Sequence, residues 1–359
     1  MRKLLRKILL LVNILFAAAL LISYLAVPIS PEDFVLPAFF GLMYPYLLII
    51  NIVLAVIWAV NFKLYAFISV IAIAIGYNHL GDFINFSKPS GENIARFTVM
   101  SYNVRLFNHY EGPGSPTTEN PIINLVSEAK PGILCLQEYF GGKDLGTVNK
   151  KIAAAMGQKV ETHIKVIART NGWYYGIATF SRFPIISRGE IIHPNSSSLS
   201  IYTDVLIGTD TFRIFNNHLQ SFRLKRMENS FVDELIGNQE QTVSELKSVS
   251  SGLSAGFVKR AMQAKVLHAF VQSSPYPVIV AGDFNDTPVS YSYRKVRKGL
   301  KDSFVKTGYG AGFTYKGKYP SNRIDYILHD AKLSPTWFSV MKVKYSDHYP
   351  VMAGFNIAD

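Results

Sequence analysis

A single cysteine, Cys135, stands in 359 residues. One thiol forms no internal disulfide and builds no thiolate zinc site, so any metal must be held by oxygen or imidazole. Charge is scarce as well: Asp, Glu, Lys and Arg make up 17% of the chain against 49% apolar residues, with a mean hydropathy of +0.16. That balance excludes a disordered chain and is too apolar for an ordinary soluble enzyme along its whole length. The shortage is local. No charged residue occurs in Ile8–Pro31, Phe34–Phe62 or Leu64–Gly81, runs of 24, 29 and 18 residues. Internal repeats are lacking too.

A bilayer crossing takes about 20 apolar residues. About three transmembrane helices are therefore expected, near 8–28, 36–60 and 64–80, in a membrane region covering residues 1–88. The third is marginal, because it weakens after Ile75 into Gly-Tyr-Asn-His-Leu-Gly. For the first run a signal peptide is the alternative, although its length and the lack of a small-x-small cleavage site favour a retained anchor. Arg2, Lys3, Arg6 and Lys7 precede it, the first loop holds Glu32 and Asp33, and Lys63 lies in the second loop. This bias keeps the N-terminus in the cytoplasm, so an odd number of crossings puts the remainder on the extracytoplasmic face and two crossings put it inside. The expected localisation is an integral, multi-pass membrane protein. No run carries a carboxylate, Lys or Arg at membrane depth, which argues against an ion path and for a plain anchor.

Residues 91–359 hold 31 Lys and Arg against 22 Asp and Glu, a net +9 that favours phosphate-rich or anionic partners without specifying one. Short apolar runs recur there, each stopping at a polar cluster. Phe97–Met100 leads into Ser101-Tyr102-Asn103, Ile133–Leu136 into Gln137-Glu138, Phe212–Phe215 into Asn216-Asn217-His218, and Val278–Ala281 into Gly282-Asp283-Phe284-Asn285. These read as buried strands. Helical patterns fall at Pro121–Ala129, Thr147–Met156 and Phe257–Val271, and the polar stretch 222–256 reads as a surface helical connection. Strands alternating with helices predict an α/β layered domain.

A polar residue just past a buried strand is aimed by a rigid scaffold, so the chemistry is expected at these ends. The inventory is Asn103, Glu138, His218, Asp283, Asn285, Asp325 in Arg-Ile-Asp-Tyr-Ile-Leu, and Asp347-His348 after Ser346. Carboxylates and amides without thiols suit Mg²⁺, with Mn²⁺ or Ca²⁺ as alternatives. Two imidazoles beside them suit proton transfer near neutral pH. Metal, carboxylate and histidine together are the minimal set for hydrolysing a phosphate ester.

Ser-Tyr-Asn-Val-Arg (101–105), Leu-Gln-Glu (136–138), Asn-His-Leu (217–219), Gly-Asp-Phe-Asn (282–285), Arg-Ile-Asp-Tyr (323–326) and Ser-Asp-His-Tyr-Pro-Val (346–351) come in an order that resembles the endonuclease/exonuclease/phosphatase superfamily. Any one of these motifs is weak; six in order are not. The resemblance covers residues 96–356 and implies a four-layered α/β/β/α sandwich of the DNase I type over 91–359. It implies Glu138 as the main metal ligand, with Asn103 beside it and Asp347 completing the sphere. It further implies that Asp283 and Asn285 hold the attacking water and phosphoryl oxygens, that His348, oriented by Asp325, polarises that water or stabilises the pentacovalent phosphorane, and that His218 assists the leaving group.

Bland readings stand beside these: Asp325 can satisfy a buried N–H and Asn103 can cap a turn. Cys135, inside an apolar run, reads as inert core. Tyr139-Phe140 after Glu138, and the lack of a Tyr-x-Pro-Asn segment, argue against abasic-site enzymes. Residues 175–185 and 215–220 are similar instead to the DNase I and neutral sphingomyelinase branch. The expected activity is a membrane-anchored, metal-dependent phosphodiesterase, with nucleic acid and phospholipid headgroups as rival substrates. A silent phosphate-binding module and a phosphomonoesterase on inositol or sugar phosphates are the alternatives; the latter needs clustered Lys and Arg that spacing alone does not reveal. The bilayer is the one further partner expected, and no motif points to a protein partner.

Overall fold

Alternation of side chains along each strand decides what the sheets cover. The structure, a computed structural model, describes residues 2–86, 94–107, 120–142, 145–157, 159–170, 173–194, 196, 198–221, 239–317 and 322–358. Contacts divide the chain into two units. One comprises Met1–Leu80, Gln220–Ala264 and Asp286–Arg294, the other Gly81–Leu219, Lys265–Asn285 and Lys295–Asp359.

In the second unit the strands are β1 (Ile84–Phe86), β2 (Phe97–Asn103), β3 (Ile133–Gly142), β4 (Glu161–Thr170), β5 (Trp173–Ser181), β6 (Ile185–Ile191) and β7 (Leu199–Ile207). They continue as β8 (Asp210–His218), β9 (Val278–Asp283), β10 (Lys301–Asp302), β11 (Tyr309–Ala311), β12 (Asp325–His329), β13 (Leu333–Val340) and β14 (Val351–Ile357). Two six-stranded sheets result, ordered β10-β12-β9-β8-β7-β6 and β13-β14-β2-β3-β5-β4, with β1 and β11 as a separate ribbon. Both sheets are mixed, because β8 runs parallel to β9 and β2 parallel to β3 while their other neighbours are antiparallel.

Odd-numbered residues of β2, Phe97 and Val99, enter one buried cluster with Ile133, Cys135, Ile214, Ile279, Ile327 and Val351, drawn from both sheets. Even-numbered Met100 and Tyr102 join a second cluster with Leu134, Leu136, Ile122, Val126, Val148 and Ile152. The period of two thus splits each strand between an inter-sheet core and a helix-facing surface. The helices on that surface are Pro121–Ala129 and Leu145–Met156. The first is capped by Asn120, whose side-chain oxygen accepts from the Ile122 N–H at 2.9 Å, with Pro121 in the first turn. Helix Gln239–Gln272 brings Phe270 to the opposite face, 6.4 Å from the Tyr202 ring of β7. This is the α/β/β/α layering expected. The helix runs unbroken through 239–256, part of the stretch 222–256 expected to be a surface helical connection, and residues 222–238 lie outside the described residues.

In the first unit the expected three crossings are not all present. Helix Lys3–Leu25 is long and apolar enough to cross a membrane. Leu36–Leu42 and Tyr44–Val60 pass that test only as a pair, and they are bent by 69°. Pro45, in the first turn of the second, has no N–H to continue the ladder. The third helix, Ala66–Ile75, is ten residues long and too short, because Gly76 ends it and a 3₁₀ helix, Tyr77–Asp82, follows. Asn13, Asn51 and Ser69, all fully buried, tie these helices together. Ser69 Oγ donates to Asn13 Oδ1 at 2.5 Å and lies 3.0 Å from Asn51 Oδ1, while Asn51 Nδ2 donates to the Phe16 carbonyl at 3.0 Å. Polar residues inside the three uncharged runs are here a satisfied polar seam.

Candidate active site

The inter-sheet face changes character along its length. Its apolar core ends at Ser101, Gln137 and Asn216, and beyond these come Asn103, His218, Asp283 and Asp325. Gln137 Nε2 donates to Asn216 Oδ1 at 2.7 Å and to Ser101 Oγ at 3.2 Å, and Asn216 Nδ2 donates to the Ala178 carbonyl at 2.9 Å. These buried amides join the two sheets as a hydrogen-bonded floor under the acids and imidazoles. Nothing in the sequence around them marks them as functional, although strand alternation places each two residues from a site residue or beside one.

Two site residues depart from regular strand geometry. Glu138 has φ 48° and lies where β3 shifts register against β5, with Leu136 paired to Ala178 and Tyr139 to Gly176. The extra residue is a bulge, and it turns Glu138 out of the alternation that keeps Leu136 and Tyr139 on the helix side. Asn285 has φ 53°, in a turn where its N–H donates to Asp283 Oδ1 at 2.8 Å. Left-handed backbone at non-glycine residues stores strain of the kind that functional sites hold. Gly282, φ 140°, leaves no room for a side chain: a Cβ there would sit 2.0 Å from the Asn217 carbonyl oxygen of β8. That close approach sets His218 opposite Asp283.

Asp283 is the hub and is fully buried. Its Oδ2 accepts from Asn103 Nδ2 at 2.9 Å and Asn285 Nδ2 at 3.0 Å, and lies 3.7 Å from His218 Nε2 and 3.8 Å from His348 Nε2. His218 Nε2 is also 3.8 Å from Glu138 Oε1. On its other edge His348 Nδ1 meets Asp325 Oδ2 at 2.9 Å. Thr314 Oγ1 holds the Asp325 backbone by accepting its N–H at 3.1 Å, and Ser346 Oγ fastens the His348 loop to β2 by donating to the Asn103 carbonyl at 2.8 Å. The Asp347 carboxylate lies 3.6 Å from Arg105 Nε and 3.3 Å from Ser346 Oγ, and its charge adds to those that raise the His348 pKa. Arg323 of the Arg-Ile-Asp-Tyr motif is fully buried, paired with Asp302 and set over the Phe304 ring at 4.4 Å, so it braces the start of β12.

Burial, reinforced by the neighbouring Asp325 carboxylate, pushes the Asp283 carboxyl up to about 6. Burial alone would pull the His348 imidazole down, but the Asp325 and Asp283 carboxylates outweigh it and hold its pKa well above the usual value.

The donor set fits a hard divalent cation. Every ligand is a carboxylate, amide or imidazole, and His218 Nε2 is buried with no hydrogen-bond partner while two carboxylates stand near it. Among the described residues, one atom each from Asp283, Asp325 and His348 lies within 4.8 Å of the others. Since His348 Nδ1 already engages Asp325, that trio also reads as an imidazole held by a carboxylate.

Comparisons add two family matches. Residues 100–348 match the Endonuclease/Exonuclease/phosphatase family, and residues 6–83 match a domain of unknown function, DUF8431. Among solved structures, a Bacteroides vulgatus endonuclease/exonuclease/phosphatase is 14% identical with a TM-score of 0.54, covering 73% of this chain and 98% of its own. A family protein of Leptotrichia buccalis is 13% identical with a TM-score of 0.53, covering 73% and 100%. A Bacteroides thetaiotaomicron mannosyl-6-phosphatase is 19% identical with a TM-score of 0.50, over the same shares. At these identities the likeness is one of fold. No curated protein sequence matches.

Proposed function

The chain belongs to the endonuclease/exonuclease/phosphatase family, and from that premise we propose a membrane-associated, divalent-metal-dependent phosphodiesterase. The observation that carries this reading is the convergence on Asp283 of two imidazoles and two amides. Glu138, with Asn103, would hold Mg²⁺, which when bound neutralises phosphoryl charge and acidifies water. Asp283, whose carboxyl titrates near neutrality, takes the proton of the attacking water, and the Asn103 and Asn285 amides fix its orientation. His348, charged and held by Asp325, donates to a phosphoryl oxygen as negative charge develops there. The water oxygen bonds to phosphorus, the P–O bond to the leaving group breaks, and His218 delivers a proton to that oxygen.

Membrane association is supported by the apolar side chains that the N-terminal helices leave exposed, among them Leu4, Leu11, Ile49, Val53, Val56, Phe67 and Ile71. An anchor favours a phospholipid headgroup as substrate, with nucleic acid the rival. One observation favours the monoester alternative: Lys316 and Lys342 stand 5.4 and 4.4 Å from the centre of the Tyr349 ring, next in sequence to His348. That is a small cationic cluster of the sort a second phosphate would use.

The test is turnover by the purified full chain with Mg²⁺ on plasmid DNA, RNA, sphingomyelin and a sugar phosphate, in parallel with His348→Ala. The reading expects diester hydrolysis that falls by at least about 10³-fold in the variant. Hydrolysis of the sugar phosphate alone would favour the monoester reading. No hydrolysis with Mg²⁺, Mn²⁺ or Ca²⁺ would leave a silent binding module.

A further inference from the structure

The N-terminal helices carry a feature that a plain anchor does not need. A cavity of about 370 Å³ is lined by Lys3, Leu5, Arg6, Leu9, Trp58, Asn61 and Lys63. Lys3 and Arg6 come from the first helix, and Lys63 follows the end of Tyr44–Val60, so three cations from two places in the sequence meet around one hollow. Glu32 and Asp33 are the only carboxylates in the first 81 residues, and neither lines it. Among the described residues no carboxylate lines it, and like charges brought together in this way repel, a cost that an anion set among them removes. A topological bias toward cations explains their side of the membrane but not their convergence on a cavity.

Trp58 forms part of the wall, 3% exposed, with its ring edge-on to that of Tyr65 at 5.0 Å, so one side of the hollow is a packed aromatic surface. The surroundings are apolar: Leu5, Val60, Phe62 and Leu64 are 67%, 70%, 95% and 80% exposed. Cations ringing a hollow, with greasy side chains alongside, suit a phosphate that carries acyl chains.

We propose that this cavity binds the phosphate of an anionic phospholipid headgroup, through Lys3, Arg6 and Lys63. The proposal rests on the reading that these helices meet a bilayer, and the site shares no residue with the catalytic cluster. Bound there, the lipid would act as a fixed ligand of the anchor and would not be turned over.

The test is native mass spectrometry of the full chain in a neutral detergent, titrated separately with phosphatidylglycerol, phosphatidylcholine and inorganic phosphate. The expected result is phosphatidylglycerol retained at least about tenfold more strongly than phosphatidylcholine, with the preference lost in Arg6→Gln/Lys63→Gln. Inorganic phosphate competing equally well would assign the site to free phosphate rather than lipid. Equal retention of both lipids by parent and variants would overturn the proposal. Flotation with phosphatidylcholine vesicles separates the two levels: a chain that floats without headgroup preference sinks this site alone, and a chain that does not float sinks the membrane reading with it. Unchanged phosphoesterase turnover in Arg6→Gln/Lys63→Gln would show that the variant folds.

Discussion

Asp283 is placed where a carboxylate is least comfortable, and the cost should be measurable. Its carboxyl is raised from 3.8 to about 6, chiefly by burial, so the folded protein binds this proton more tightly than the unfolded chain does. The resulting stability is fully present below the ordinary carboxylate pKa and is lost as pH rises through about 6. Asp283→Asn cannot ionise and escapes that loss. In metal-free protein the variant should therefore melt higher than the parent near pH 8, by the equivalent of about 1–2 kcal/mol, with the gap closing near pH 4. A gap that does not change with pH would mean that Asp283 is not strained by its charge. His348 works in the same direction, since a raised imidazole pKa also gives stability that is lost as pH rises. Its partner Asp325 persists in the variant, so much of that contribution is common to both proteins.

At the scale of strands, much of the site was legible because a buried strand announces its own end. Asn103, His218 and Asp283 each close an apolar run, and their strands pair in the two sheets so that these ends meet. What spacing does not disclose is the local backbone. The bulge at Glu138 and the left-handed turn at Asn285 arise from register and packing between strands far apart in sequence. The floor of Gln137 and Asn216 was hidden for the opposite reason, since a buried amide inside a strand looks like any polar interruption until its cross-sheet partner is known. Gly282 is the most exacting element-level feature. Gly282→Ala would set a methyl 2.0 Å from the Asn217 carbonyl oxygen at a φ of 140°, forcing β8 and β9 apart where His218 faces Asp283. We expect a loss of about 2–4 kcal/mol in stability, with turnover falling further than partial unfolding explains. Chemical denaturation and turnover on one preparation separate the two effects, and unchanged turnover in the folded fraction would detach the strand contact from the chemistry.

For the molecule as a whole, if the N-terminal helices meet a membrane, the count of crossings decides which side of it the Asp283 cluster faces. Hydropathy overcounted because it reads apolar length and not helix continuity: a proline breaks one run, a glycine shortens another, and the buried Asn13, Asn51 and Ser69 pack against one another as a folded core would. If Lys3–Leu25 crosses with the cations before Ile8 in the cytoplasm, Lys63, which lines one cavity with Lys3 and Arg6, returns to their side only if the bent pair also crosses, and the remainder then lies inside. Lys3–Leu25 crossing alone would put the remainder outside and separate Lys63 from those cations. The chain's one native thiol makes this easy to read. Cys135 is fully buried, and burial pushes its pKa up to about 12, so it stays protonated and silent toward thiol reagents. A cysteine introduced at Ala331, exposed in the turn between β12 and β13, is then the sole reporter. A single crossing predicts labelling of Ala331→Cys by a membrane-impermeant maleimide in intact cells, with no further gain on permeabilisation. Labelling only after permeabilisation would require an even number of crossings and a cytoplasmic Asp283 cluster, and would make the bent pair a true span.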